Sequence, residues 1–262
     1  MELNTAKDKL IVALDVNTAD RGLQLVAELR ESVGMFKIGM QLFTAAGPDL
    51  VRQIISRGGR VFLDLKYHDI PNTVCLAGIE ATRLGVSIFN VHASGGREMM
   101  QRTAAAVAET AQRENLPRPS VIAVTLLTSI DTATLKELAI DDAPPSIVSR
   151  LALLAQEAGL DGVVASAQEI PTIRRTVSQS DFLIVTPGMR NATAVSDDQR
   201  RTTSIAEAIK TGSDYVVVGR PILNAPDPGQ AARQIVAEIA AALGTRSHTT
   251  DLAEQVHAQS VH

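Results

Sequence analysis

The sequence predicts an α/β protein of the (β/α)8 TIM-barrel class, built as a single domain. Three observations carry this expectation. Short apolar, β-branched runs alternate with helical stretches about eight times along the chain. The runs are near-continuously apolar, as parallel strands buried on both faces are. The units fill roughly 240 residues, a usual span for eight βα units closed into a barrel. An open doubly wound sheet is the alternative. It is weakened because the first strand and its turn, LIVALDVNTAD, lack the G-x-G-x-x-G of a dinucleotide site.

In order, Leu10–Asp15 (LIVALD) is the first apolar run and ends in a carboxylate. Thr18 to about Ser32 has helical spacing, with Leu23, Val26, Ala27 and Leu29 on one side. Met35–Gly39 (MFKIG) is a short strand with Lys37 inside it, and Asp49–Arg57 is a helix stopped by Gly58 and Gly59. Val61 opens the third strand, and a helix over Asn72–Leu84 follows Pro71 and ends at Gly85. Ser87–His92, Ser120–Leu127, Asp161–Ser166, Phe182–Thr186 and Asp214–Gly219 are the remaining strands. Helices over about Arg97–Glu114, Ile147–Ala158, Ser204–Thr211 and Pro228–Leu243 complete the alternation. No composition break divides the chain. Residues 1–243 therefore form the barrel domain, and 244–262 read as a polar, flexible tail, with a short helix over Asp251–Ala258 at most.

Composition narrows the function. The chain has 262 residues, 25 basic and 29 acidic, for a formal net charge of −4. With no long basic run and no Trp, neither a phosphate-tracking surface nor a base-stacking platform is expected, so nucleic acid is disfavoured as a partner. Cys75 is the only cysteine, which excludes an intrachain disulfide or a cysteine metal cluster. Zinc is disfavoured because no His-x-x-x-His or carboxylate partner lies at ligand spacing. The N-terminus, MELNTAKDKL, has no signal-peptide core, and no run of 18 apolar residues occurs. A soluble cytoplasmic protein with no membrane partner is the expectation.

The chemistry sits at the strand ends. Asp15, Lys37, Asp64 with Lys66, His92, Thr128, Ser166, Thr186 with Arg190, and Gly219 with Arg220 all lie at or just past a strand's C-terminal end. In a barrel these ends converge on one mouth, where active sites are built. Polar residues follow strands anyway, because loops begin there, and this reading suits Ser166 and Thr186. It suits Asp15, Lys37, Asp64 and Lys66 poorly, since they lie inside or at the lip of apolar runs. The sharpest stretch is VFLDLKYHDIPNT, Val61 to Thr73. Asp64 and Lys66 are two apart and so share a strand face, and Asp69 follows three residues on. Charge beside an apolar core is costly unless paired or required by chemistry. His92, alone at the end of NVH, is expected to be structural. Mg²⁺ between Asp15 and Asp64 would compete with Lys37 and Lys66.

The last strand carries an anion signal. VVVGR places Gly219 where backbone N–H groups can approach closely and adds the Arg220 fork. The preceding loop, TPGMRNATAVSDDQR, is long and polar, with Arg190 and Gln199, and suggests a lid over bound phosphate.

Together, IVALD, FKIGMQLF, FLDLKYHDIPNT, NVHASGG, VTLLTS, TPGMR and VVVGRPI, in this order, closely resemble the orotidine 5′-phosphate decarboxylase family of bacterial type, from about Leu10 to Leu243. The resemblance implies decarboxylation of orotidine 5′-phosphate to UMP and CO₂, the last step of de novo pyrimidine synthesis, without cofactor or metal, by a homodimer. It implies that Lys66 donates the proton to C6 and that Asp64 lies near the departing carboxylate. It also implies that Asp69, Ile70 and Thr73 reach the partner subunit's site. Asp15 and Lys37 match residues that hold ribose hydroxyls, and Thr128 one beside the pyrimidine. Arg190, Gln199, Gly219 and Arg220 match those serving the phosphate and its lid. D-x-K-x-x-D alone also occurs in a wider barrel superfamily. A Mg²⁺-dependent sugar-phosphate decarboxylase or aldolase is therefore the alternative, and a non-catalytic nucleotide-binding barrel a third.

Overall fold

The structure is a computed structural model and describes residues 2–188 and 204–259. Eight parallel strands, hydrogen-bonded in chain order with β1 closing on β8, form a barrel. They are β1 (Leu10–Ala13), β2 (Met35–Gly39), β3 (Val61–Tyr67), β4 (Ile88–His92), β5 (Ser120–Val124), β6 (Gly162–Val164), β7 (Leu183–Thr186) and β8 (Tyr215–Val218). The helices are α1 (Glu2–Asp8), α2 (Ala19–Leu29), α3 (Met40–Ser56), α4 (Pro71–Arg83), α5 (Gly96–Arg113), α6 (Thr132–Glu137), α7 (Pro144–Glu157), α8 (Ile170–Thr176), α9 (Ile205–Thr211), α10 (Arg220–Leu223) and α11 (Pro228–Gln259).

Local chemistry explains the main boundaries. The Thr18 and Ser204 side chains accept backbone N–H bonds at the starts of α2 and α9. Pro71 and Pro144 occupy first helical turns, where a missing N–H costs nothing. Gly212 ends α9 in the left-handed conformation.

The core has two layers, as strand alternation requires. Ile11, Ala13, Met35, Phe62, Ile88, Ile122, Val185 and Val217 point inward and fill the barrel. Leu10, Val12, Phe36, Ile38, Leu63 and Phe89, from the alternate positions, pack outward against the helices. Each large apolar side chain so buried contributes roughly 1.5–3 kcal/mol.

Four helices escape the sequence reading. α1, α6, α8 and α10 span four to seven residues, too short for a helical period to show. α3 starts at Met40, well before the expected Asp49, and is two helical pieces joined at Gly47 (φ 66°) next to Pro48. The segment beyond Leu243 differs most, because α11 runs on to Gln259 in place of a frayed tail. Gly244 is not among the left-handed glycines, and a glycine inside a helix costs only about 1 kcal/mol.

Candidate active site

Four of the strand-end residues that the sequence singles out, Asp15, Lys37, Asp64 and Lys66, do meet. Along β1–β4 and just past their ends the inward positions pass from apolar at the bottom to polar or charged at the top: Ile11–Ala13–Asp15, Met35–Lys37, Phe62–Asp64, Ile88–Asn90–His92. Register brings neighbouring strands level, with Ala13 opposite Lys37 and Gly39 opposite Asp64.

The result is a chain of alternating charge. Lys37 Nζ lies 3.3 Å from Asp15 Oδ1 and 3.3 Å from Asp64 Oδ2. Lys66 Nζ donates to Asp64 Oδ1 at 2.6 Å. Asp64 is buried, with 8% of its surface exposed. Burial is the largest influence on its carboxyl and acts upward. Lys37, Lys66 and the hydrogen bonds from Lys66 and Asn90 together outweigh it, so Asp64 titrates below its ordinary 3.8 and stays ionised.

Lys66 is not in regular strand geometry, as the two-residue spacing from Asp64 assumes. Its φ is 52°, in the left-handed region, at a cost of roughly 1–2 kcal/mol. It lies in a bulge: Leu63 pairs with Phe89 and Tyr67 with Val91, so β3 advances four residues while β4 advances two. The bulge frees the Lys66 N–H from the ladder, and Asn90 Oδ1 accepts it at 2.8 Å.

Asn90 is the residue that the sequence reading misses. It is fully buried, and its Nδ2 donates to Asp64 Oδ1 at 2.7 Å. The available signal was an amide in the middle of an apolar strand, SIFNVH, two residues before His92.

A cavity of roughly 180 Å³ opens over this group. Lys37, Asp64, Lys66 and Thr128 give it a polar side, and Val124, Leu126, Val164, Val185, Pro187 and Val217 an apolar one. Charges facing such a wall act through a lower dielectric than water provides. Gly219 adjoins this rim, since a Cβ there would lie 3.4 Å from Asp15 Oδ2. Arg220 follows as the first residue of α10 and is exposed.

Other expected site residues lie apart. Asp69, Ile70 and Thr73 are exposed at the start of α4, and Asp69 Oδ1 accepts the Ile70 N–H at 2.7 Å. Among the described residues Asp69 forms no ion pair with Lys66. Arg190 and Gln199 lie outside the described residues, as does most of the expected lid. Thr186 is fully buried with its hydroxyl 2.8 Å from Ser213 Oγ, a packing role. The His92 ring lies 5.3 Å from that of His68, tilted by 34°, and burial, His68 and Lys66 hold it below its ordinary 6.5. The described residues include no group of three or more His, Cys, Asp or Glu placed to hold a metal ion. No helix of the described residues is long and apolar enough to cross a membrane.

A closed parallel barrel with a charged, lysine-centred cavity at the C-terminal ends of its strands has the architecture of a barrel enzyme. Residues 8–235 match the model of the orotidine 5′-phosphate decarboxylase / HUMPS family, and the chain belongs to that family. An orotidine 5′-phosphate decarboxylase of Geotalea daltonii is 53% identical over 241 residues, covering 92% of this chain and all of the relative. Another, of Moorella thermoacetica, is 55% identical over 235 residues, covering 89% and 93%. The crystal structure of orotidine 5′-phosphate decarboxylase from Lactobacillus acidophilus superposes with a TM-score of 0.77 at 33% identity, covering 88% of this chain and 98% of that one.

Proposed function

We propose that this barrel is a carboxy-lyase that converts orotidine 5′-phosphate to UMP and CO₂, with Lys66 as the proton donor. The observation that carries the reading is the Lys66–Asp64–Lys37–Asp15 charge chain beside an apolar cavity wall, in a chain of this family. When the C6–carboxylate bond breaks, its electron pair stays on C6 and CO₂ departs. The Lys66 ammonium stabilises that carbanion and passes it a proton, forming the C6–H bond of UMP. The lysine is left neutral and regains a proton from water. Asp64 orients Lys66 before the reaction and lies beside the departing carboxylate. Because one ammonium both stabilises and protonates, this route requires no cofactor.

Asp15 and Lys37 are assigned to the ribose hydroxyls and Thr128 to the pyrimidine. Arg190, Gln199, Gly219 and Arg220 are assigned to the phosphate and a closing loop, which lets remote binding energy assemble the site. Residues 1–243 would be the catalytic domain and 244–262 an appendage, and the enzyme would work in the cytoplasm. The expected result is loss of the ultraviolet absorbance of orotidine 5′-phosphate in buffer containing EDTA. Turnover that requires added Mg²⁺ would instead favour a metal-dependent sugar-phosphate enzyme.

The enzyme is further proposed to act as a homodimer, with Asp69 completing the partner's site. In support, Ile70, at the N-cap of α4, and Leu76, on α4, are apolar residues close to Asp69 in the chain that stand 67% and 54% exposed. Mixing inactive Asp69→Ala and Lys66→Ala subunits should restore partial activity, because one heterodimer site then keeps both residues. No recovery after verified subunit exchange would count against Asp69 acting across the interface.

A further inference from the structure

The Asn90 amide lies where the two halves of the catalytic pair join. It is wholly buried on the inward face of β4, where an unsatisfied amide would be strongly disfavoured. Both of its ends are used, and both on β3. Nδ2 donates to Asp64 Oδ1 at 2.7 Å, the same oxygen that Lys66 Nζ approaches at 2.6 Å. Oδ1 accepts the Lys66 backbone N–H at 2.8 Å. That N–H belongs to the bulge, where the β4 backbone is out of register to receive it. The side chain thus replaces a missing ladder acceptor at the residue with φ 52° and, with its other end, holds the carboxylate facing that residue's ammonium. Asn90 does not line the cavity, so its influence passes through Asp64 and Lys66.

We propose that Asn90 is the positioning residue of the reaction: its amide locks the left-handed Lys66 backbone and fixes Asp64 beside Lys66 Nζ without touching the substrate. This rests on the decarboxylase reading of the site. It separates Asn90 from the binding groups, since among the described residues its side-chain hydrogen bonds go to Asp64 and Lys66. Loss of the amide therefore disturbs the proton donor and leaves the nucleotide's grip intact.

The test compares the parent with Asn90→Ala and Asn90→Asp, reading kcat on orotidine 5′-phosphate, UMP affinity and the pH dependence of kcat. Asn90→Ala should lower kcat by roughly 100-fold, the scale for small misplacement of a reacting group, with UMP affinity at the parent's level. Protonated aspartic acid offers the donor and acceptor that asparagine does. Asn90→Asp should therefore regain kcat as pH falls through the titration of its carboxyl, at pH values where circular dichroism shows it folded. Asn90→Ala should show no such recovery. An Asn90→Ala kcat equal to the parent's, a parallel fall in kcat and UMP affinity, or no acid recovery in folded Asn90→Asp would each overturn the proposal. Should Asn90→Ala fail to fold, Asn90→Ser, too short to bridge both groups, takes its place with the same expected outcomes. The Asp64 carboxylate is followed separately by carbon-13 NMR, and its titration should move upward once the amide donor is lost. An unchanged titration also overturns the proposal. A parent that releases no CO₂ would sink the decarboxylase reading alone, and the NMR measurement would still decide the role of Asn90.

Discussion

Both rims of the barrel carry carboxylates, and they are used differently. At the bottom, Asp161 and Asp214 precede β6 and β8. Asp161 Oδ2 accepts the Val121 N–H of the neighbouring β5 at 2.7 Å, and its Oδ1 takes Arg118 at 2.8 Å. Asp214 repeats the arrangement one strand pair on, accepting the Ile184 N–H of β7 at 2.8 Å and Arg174 at 2.5 Å. Each caps the start of the preceding strand and is neutralised by one arginine. At the top, Asp15 and Asp64 meet lysine and amide side chains instead, and Asp64 and its two lysines line the cavity. A carboxylate at a strand end is therefore no sign of chemistry in itself. What separates the rims is whether the carboxylate satisfies backbone N–H groups or, together with its cations, lines a cavity.

The largest expected effect tests the top rim. Lys66→Ala should reduce turnover by at least about 10⁴-fold, since it removes both the proton donor and the charge that stabilises the carbanion. The melting temperature and UMP binding should stay near the parent's, so appreciable residual decarboxylation would end the assignment of Lys66. The bottom rim should answer in the opposite sense. Asp214→Ala leaves the Ile184 N–H and Arg174 without their carboxylate and should cost about 2 kcal/mol in denaturant unfolding. Its kcat should be unchanged, and a kcat loss larger than the stability loss explains would break the division between rims.

The smallest effect sharpens the comparison through pH. Asp64 has a folded pKa below its ordinary 3.8, so it binds fewer protons folded than unfolded. The stability it contributes is fully present above about pH 4, close to that ordinary carboxyl value, and is lost as pH falls through the depressed folded value. Acid titrations of stability should thus be shallower in Asp64→Asn than in the parent over that window. Equal slopes would mean that the lysines do not hold the carboxylate as the geometry indicates.

Much of the fold was legible because its signal is local. Every strand was found from its apolar run, and Pro71, Thr18 and Gly212 mark helix ends through chemistry confined to a few residues. The short helices α6, α8 and α10 were not legible, since four to seven residues carry too little periodicity. The extension of α11 was not legible because Gly244 and the polar stretch TRSHTTD interrupt the apolar period there.

The site divides along the same line. Asp15, Lys37, Asp64 and Lys66 were legible because charge inside an apolar run is anomalous in one dimension. Asn90 was not, because an isolated amide in a strand has many uses. What the sequence determined by itself is the set of residue types presented at each strand end and the alternation that closes the barrel. Only the tertiary structure decided that Asp64 reaches both lysines, that β3 bulges at Lys66 and that Asn90 fills the resulting gap. Those outcomes depend on the registers of β2, β3 and β4, which are fixed by packing between strands far apart in the chain.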